Sequence, residues 1–166
     1  MKKTHKILIP NMAPVQFQLL AASMEQQGYT CELLENCGSE VCELGLKYVH
    51  NDTCYPALLV IGQFLDALNS GKYDLDHTAL IITQTGGGCR ASNYIHIIRK
   101  ALEKAGYPQV PVISFNLSGM EKNPGFNFTI PLIRRSAAGV IYGDLLMLLS
   151  NQTKAYEINK GDTAKK

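Results

Sequence analysis

The hexapeptide TALIIT, residues 78–83, and the segment TGGGCR that follows at residues 85–90 decide the fold of this chain. The hexapeptide is apolar and partly β-branched, which is typical of a strand buried on both faces of a parallel sheet. A glycine-rich turn between such a strand and a helix is typical of the connections where α/β proteins bind ligands. This stretch therefore predicts one strand–loop–helix unit.

The same alternation extends in both directions along the chain. Apolar runs predict three further strands at residues 6–10, 30–34 and 110–115. Helical spacing predicts helices at residues 15–27, 56–69 and 93–105, a short one after Ser39, and a last one after Pro131. Asp52 or Thr53 is the expected cap of the helix at 56–69. The last helix should bury a stripe of apolar residues: Ile133, Ala137, Val140, Ile141, Leu145 and Leu148.

Strands that alternate with helices of this length predict right-handed crossovers and a parallel sheet. We therefore predict an α/β fold, a flavodoxin/Rossmann-like three-layer sandwich with a four-stranded parallel sheet and helices on both faces. Strand 1 should lie between strands 2 and 3, as in flavodoxin-like folds. Residues 1–150 should form a single α/β domain, and residues 151–166 a polar, flexible tail.

Composition excludes several classes of protein. Apolar residues make up 46% of the 166 residues and charged residues 18%, which argues against disorder. The net charge of +2 and the scattered basic residues argue against a nucleic-acid partner. No apolar run is long enough for a signal peptide or a membrane span, so we expect a cytoplasmic protein without a membrane partner. In that compartment the five cysteines are not a disulfide framework.

Two cysteines fall on strand-to-helix connections, where parallel sheets bind ligands. Cys54 precedes the helix at 56–69, and Cys89 ends the glycine run after the strand at 78–83. The topology should bring both to one edge of the sheet. Helix amino ends carry a partial positive charge that stabilises anionic sulfur. The amides of Gly86, Gly87 and Gly88 and the cation of Arg90 would suit a bound iron–sulfur cluster, and we assign these four as cofactor-binding residues.

Other interpretations of the same residues stay open at this point. A glycine run after a parallel strand also suits a phosphate, although it lacks the ending of a P-loop and the spacing of a dinucleotide fingerprint. The two cysteines would then be ordinary free thiols. Cys31 lies within a predicted strand as a structural thiol. Cys37 and Cys42 lack metal-site spacing and are spare thiols, unless one of them completes a cluster. Asn11 and residues 116–118 should share the sheet edge, as ligand contacts or as turns.

Four segments together resemble a known superfamily. They are GLKYVHNDTCYP at residues 45–56, IGQ at 61–63, TQTGGGCRASNY at 83–94 and PVIS at 111–114. They are similar to the 2-hydroxyacyl-CoA dehydratase and benzoyl-CoA reductase superfamily, and most similar to a C-terminal region of the large CoA-substrate-specific enzyme activase proteins. The resemblance covers residues 45–149.

The resemblance implies a [4Fe-4S] cluster held by cysteines on Rossmann-like domains. In this superfamily an ATP-hydrolysing activator delivers electrons at low potential, and in the dehydratases the electron forms a ketyl radical on a CoA thioester. Carried over, Cys54 and Cys89 would each give a thiolate to iron. We therefore expect an iron–sulfur electron-transfer module.

This chain departs from the superfamily pattern in two ways. The superfamily uses three cysteines per cluster, and the third is not evident here; an ATP site is also missing. We expect a module that works with other domains or subunits of a dehydratase/activase system, is not catalytic alone, and holds an incomplete cluster or none when isolated. A CoA thioester is a candidate ligand. The alternatives are a CoA-, flavin- or nucleotide-binding module with incidental cysteines, and a docking domain of a larger complex.

Overall fold

The computed structural model describes residues 1–50, 52–84, 86, 93–116, 121, 123 and 125–165. Its strands are β1 (Lys6–Ile9), β2 (Thr30–Leu33), β3 (Thr78–Thr83) and β4 (Val112–Phe115). Its helices are α1 (Pro14–Glu25), α2 (Ser39–Tyr48), α3 (Tyr55–Asn69), α4 (Tyr94–Ala105) and α5 (Ile130–Lys154). Two short 3₁₀ turns occupy Leu75–His77 and Thr163–Lys165. The predicted elements are confirmed in kind and in order.

The four strands form one parallel sheet in the order β2-β1-β3-β4. This confirms the α/β class and the flavodoxin-like position of strand 1. The central strands β1 and β3 are covered on both sides, as their continuous apolar runs predict. Leu8 pairs with Leu80 across the centre, and both are fully buried.

Successive side chains of each strand pack into two separate cores, because they point alternately to opposite faces of the sheet. On one face, Leu8 and Leu80 pack with Phe64 of α3 and Ile98 of α4. On the other face, the core also draws on α1 and α5. Its buried members include Ile7, Ile9, Met24, Ala79, Ile81, Ile113 and Leu132. The molecule is therefore the three-layer sandwich that the sequence predicts.

The cap predicted for α3 is wrong. The residue before the helix is Cys54, and no side chain caps the helix there. The N–H of Thr53 donates to the carbonyl of His50 at 3.0 Å, and the carboxylate of Asp52 lies 3.3 Å from His50 Nδ1 on the surface. Because Thr53 and Asp52 already contact His50, the helix begins after Cys54, whose carbonyl accepts from Ala57 N–H at 2.9 Å.

Helices α2 and α3 pack antiparallel with their backbones in contact. A Cβ added to Gly62 would lie 1.8 Å from the carbonyl oxygen of Val41, and one added to Gly45 would lie 2.2 Å from that of Leu58. Both positions lack room for any side chain. The two glycines thus hold α2 against α3 and position the amino end of α3.

The buried stripe predicted for α5 is wrong. The helix buries Leu132, Ser136, Gly139 and Gly143, and it leaves Val140, Ile141, Leu145 and Leu148 exposed. A Cβ added to Gly139 would lie 3.2 Å from the Cβ of Leu19 on α1. Small residues let the backbones of α1 and α5 approach closely. The face of α5 that carries small residues therefore points toward α1, and the face that carries large apolar side chains points outward.

The end of α5 bears on the predicted domain boundary. The helix continues to Lys154, four residues beyond position 150, and turns follow it. There the carboxylate of Glu157 accepts from the N–H groups of Gly161 at 2.9 Å and Thr163 at 2.8 Å. The flexibility of residues 151–166 stays a prediction. In the described part of the chain, no helix combines the length and apolar character needed to cross a membrane.

Candidate functional site

Gln63 of α3 marks the carboxyl edge of the sheet. Its side-chain oxygen accepts from the N–H of Asn11, after β1, and its side-chain amide donates to the carbonyl of Asn36, after β2, both at 2.9 Å. From Gln63 the helix runs eight residues to its amino end at Tyr55, about 12 Å at 1.5 Å per residue. Cys54 therefore lies beyond Gln63, on the carboxyl side of the sheet.

Cys54 meets the start of α4. Its Sγ lies 2.9 Å from the Oη of Tyr94, the first residue of that helix. Tyr94 is buried, and the half-buried Cys54 packs against the same core. The amino ends of α3 and α4 thus come together at one place. Cys89 lies outside the described residues, five positions before Tyr94 in the sequence.

The glycine run is described at one position. Gly86 is exposed and has a φ of 73°, a left-handed conformation that favours glycine. Gly87, Gly88 and Arg90, the other predicted cofactor-binding residues, lie outside the described residues. The assignment of all four to a cofactor stays a prediction.

A polar network joins the carboxyl ends of β3 and β4. The hydroxyl of Ser114 donates to Gln84 Oε1 at 2.6 Å and accepts from Asn116 Nδ2 at 2.6 Å. Asn123 Oδ1 accepts from the N–H of Ser114 at 2.9 Å. Ser114 and Asn116 are buried. Gln84 leads directly into the glycine run, so this network supports the base of that loop. Leu117 and Ser118 lie outside the described residues.

Asn11 lies at the point where the strand order reverses, between β1 and β3. Ligands of parallel sheets bind in this crevice. The Oδ1 atom of Asn11 is buried and has no hydrogen-bond partner among the described residues. A buried acceptor without a partner is costly, so this oxygen is a candidate contact for a donor on a ligand.

Three further cysteines, Cys31, Cys37 and Cys42, are described and lie away from Cys54. Burial, with a smaller effect of Glu25, raises the pKa of Cys31 to about 12, which keeps its thiol protonated and agrees with a structural role. Cys37 is exposed. Cys42 follows Val41, which packs against Gly62, so it lies about 10 Å from Cys54 along α3. Within the described ranges, no three or more His, Cys, Asp and Glu side chains form a group that could hold a metal ion.

The sequence assigns no role to two residues of this region, Tyr94 and Gln63. They occur only within the superfamily segments at residues 83–94 and 61–63. Nothing local marks the contact of Tyr94 with Cys54, because 40 residues separate them. For Gln63 a signal was available: an amide side chain in the middle of a strongly apolar helix needs buried polar partners.

Fold and site define an α/β protein of the flavodoxin/Rossmann-like class, with a cysteine at the amino end of a helix on the carboxyl side of its sheet. Beyond that class, the chain matches no protein-family model, no curated protein and no solved structure. The resemblance to the dehydratase superfamily therefore stays a prediction from the four sequence segments.

Proposed function

We propose that this chain is an iron–sulfur-binding module of a 2-hydroxyacyl-CoA dehydratase/activase-type protein that takes part in low-potential electron transfer. One observation carries the proposal: the 2.9 Å contact between Cys54 Sγ and Tyr94 Oη. It joins the amino end of α3 to the start of α4, the helix that follows Cys89 in the sequence. The superfamily motifs contain both cysteines.

Cys54 fits one ligand position of a cluster. Its half-buried thiol lies where the first N–H groups of α3 favour negative charge, and Tyr94 Oη is within hydrogen-bond distance of the sulfur. Cys89 is the second proposed ligand. No group of three or more donors that includes Cys54 is found among the described residues, so we propose that a third ligand comes from another domain or subunit. A bound cluster would supply one-electron chemistry at low potential.

This incomplete donor set determines the rest of the proposal. The module works in the cytoplasm with other domains or subunits of a dehydratase/activase system and is not catalytic alone. Three described residues would serve the cluster. Cys54 would bind iron, and Tyr94 Oη would donate to its sulfur. The left-handed Gly86 would let the backbone approach the cluster closely.

Anaerobic reconstitution tests the proposal. We expect the chain incubated with iron, sulfide and a thiol reductant to take up iron and show a broad visible absorption band. Cys54→Ala and Cys89→Ala should each reduce the iron content severalfold. Cys37→Ala is the matched control, since Cys37 is exposed, and it should retain the signal. A Cys54→Ala, Cys89→Ala double variant that keeps its iron and absorption would contradict the proposal.

A second candidate function, binding of CoA, a flavin or a nucleotide, is favoured by the crevice between β1 and β3. Asn11 Oδ1 is buried there without a partner among the described residues, and the left-handed Gly86 follows β3. Under this alternative the cysteines are incidental. A thermal-shift comparison with CoA, FMN and ATP distinguishes the two. A rise in melting temperature that persists in the cysteine double variant supports the second candidate; no rise with any of the three is evidence against it.

A further inference from the structure

Helix α5 is held against the domain by its small residues. Leu132, Ser136, Gly139 and Gly143 recur every three or four residues and are buried. A Cβ added to Gly143 would lie 2.7 Å from Gln16 Cγ on α1. Gln16 Nε2 also donates to Asp144 Oδ1 at 2.8 Å. This contact determines which side of α5 faces away from α1.

The side that faces away is a continuous apolar surface. We name it the α5 outer face and define it by Ala137, Ile141, Leu145 and Leu148, which share one line along the helix. Their large side chains are well exposed: 69% for Ile141, 49% for Leu145 and 53% for Leu148. Further exposed apolar side chains flank this line: Val140, Tyr142, Leu146, Met147 and Leu149. A helix that is apolar on every side is normally covered.

The size of this surface suits a stable protein interface. The 25 residues of α5 span about 37 Å. At roughly half exposure each, the exposed apolar side chains of α5 together present on the order of 1,000 Å², above the ~300–600 Å² of the largest patch on a typical monomer. The α5 outer face is the part of this area that a single partner helix would cover. Isolated exposed apolar residues would not reach this value.

The charges of α5 point to an identical helix as the occupant. Between Arg135 and Lys154 the only charged residue is Asp144, which already pairs with Gln16. An interfacial lipid-binding helix would instead carry lysine and arginine along its length. Arg134 and Arg135 lie near the amino end of α5, where a helix disfavours cations, and are exposed. In an antiparallel pair they would approach the carboxyl end of the other α5, which favours them.

We infer that two copies of this chain associate through the α5 outer face, as an antiparallel, two-fold symmetric helix pair. Residues 134, 137, 141, 145 and 148 recur every three or four positions, the spacing of helices that pack side by side at a small crossing angle. A two-fold contact uses the same patch on both copies. The apolar outer face is complementary to itself because it places no like charges together.

Sedimentation equilibrium of the full chain tests this inference. We expect a dimer of twice the 18.3 kDa chain mass, with a dissociation constant of about 1 μM or below. Ile141→Glu with Leu148→Glu should give a monomer with unchanged far-UV circular dichroism, because both side chains are exposed in one copy. The control Ile158→Glu, at a side chain 96% exposed beyond α5, should remain a dimer. Arg134→Glu with Arg135→Glu should raise the dissociation constant about tenfold if the pair is antiparallel.

Two results would overturn the inference. The first is a dimer that survives in the folded Ile141→Glu, Leu148→Glu variant. The second is a monomeric wild-type chain at a concentration on the order of 0.1 mM. If that monomer binds vesicles of phosphatidylcholine and phosphatidylglycerol and the Ile141→Glu, Leu148→Glu variant does not, a lipid surface is the occupant instead.

Discussion

Glu32 shows how much a single residue depends on neighbours that are distant in sequence. It lies on the edge strand β2, and its carboxylate accepts from Lys72 Nζ at 2.5 Å, from Tyr73 Oη at 2.7 Å and from Lys6 Nζ. Burial raises the pKa of Glu32, but these hydrogen bonds outweigh it and lower the pKa to about 2. The cluster ties β2 to β1 and to the segment before β3, and its charges protect an exposed sheet edge.

Replacing Glu32 by Gln should lower the free energy of unfolding by about 1 kcal/mol near pH 7, a modest value because the ion pairs lie at the surface. The carboxylate has a pKa of about 2 when folded, against 4.5 ordinarily. Its contribution is therefore complete above about pH 5 and is lost as the pH falls from 4.5 toward 2. Urea unfolding at several pH values measures the difference between Glu32→Gln and the wild type.

The matched control for this prediction is Glu43→Gln, at an exposed position of α2. It should change stability little at any pH. A gap between the wild type and Glu32→Gln that stays the same from about pH 7 to pH 3 would show that the carboxylate's hydrogen bonds do not set its pKa.

Among the elements, the α2–α3 pair is the most tightly constrained. Gly45 and Gly62 place each helix directly against backbone carbonyls of the other. Any side chain at these positions has to separate the helices, since a carbonyl cannot move aside as a flexible side chain can. Because Gln63 lies on α3 and Cys54 directly precedes it, this contact positions the carboxyl edge as well as the core.

Gly62→Ala should therefore destabilise the protein by at least about 2 kcal/mol, at the upper end of overpacking effects. Urea unfolding followed by far-UV circular dichroism measures it. Gly106→Ala is the comparison, because an added Cβ there meets nothing within 4 Å and only the left-handed φ of 88° opposes it. Gly106→Ala should lower the free energy of unfolding by about 1 kcal/mol. A Gly62→Ala variant no less stable than Gly106→Ala would refute close backbone contact between α2 and α3.

At the scale of the whole molecule, two cores on opposite faces of one sheet hold the layers together. Neither core contains a residue beyond Leu132 among its buried members. The rest of α5 is attached to α1 through Gly139, Gly143 and Gln16. Residues 155–165 contribute to neither core, so the fold should not require them.

Truncation after Lys154 should change the free energy of unfolding by less than about 0.5 kcal/mol. Truncation after Ser136, which also removes the contacts of Gly139 and Gly143 with α1, should destabilise the chain by several times that amount. Both are best compared by urea unfolding in the Ile141→Glu, Leu148→Glu background, so that association does not contribute. A large loss of stability from the shorter deletion would show that residues 155–165 belong to the domain.

The sequence by itself determined the elements, their order and the parallel sheet, because hydrophobic periodicity and the positions of glycine and proline act over a few residues. It also placed Cys54 at the amino end of α3 for the same local reason. The predicted cap of α3 was wrong, since Asp52 lies beside His50, a contact that a capping rule does not anticipate.

Only the tertiary structure decided which face of α5 points inward. Periodicity identifies an apolar stripe but not the partner that covers it, and here the glycines that approach α1 outweigh the larger side chains. The same holds for the contact of Cys54 with Tyr94 and for the surroundings of Glu32, whose partners are about 40 residues away. These contacts form because packing, not local spacing, brings distant segments together.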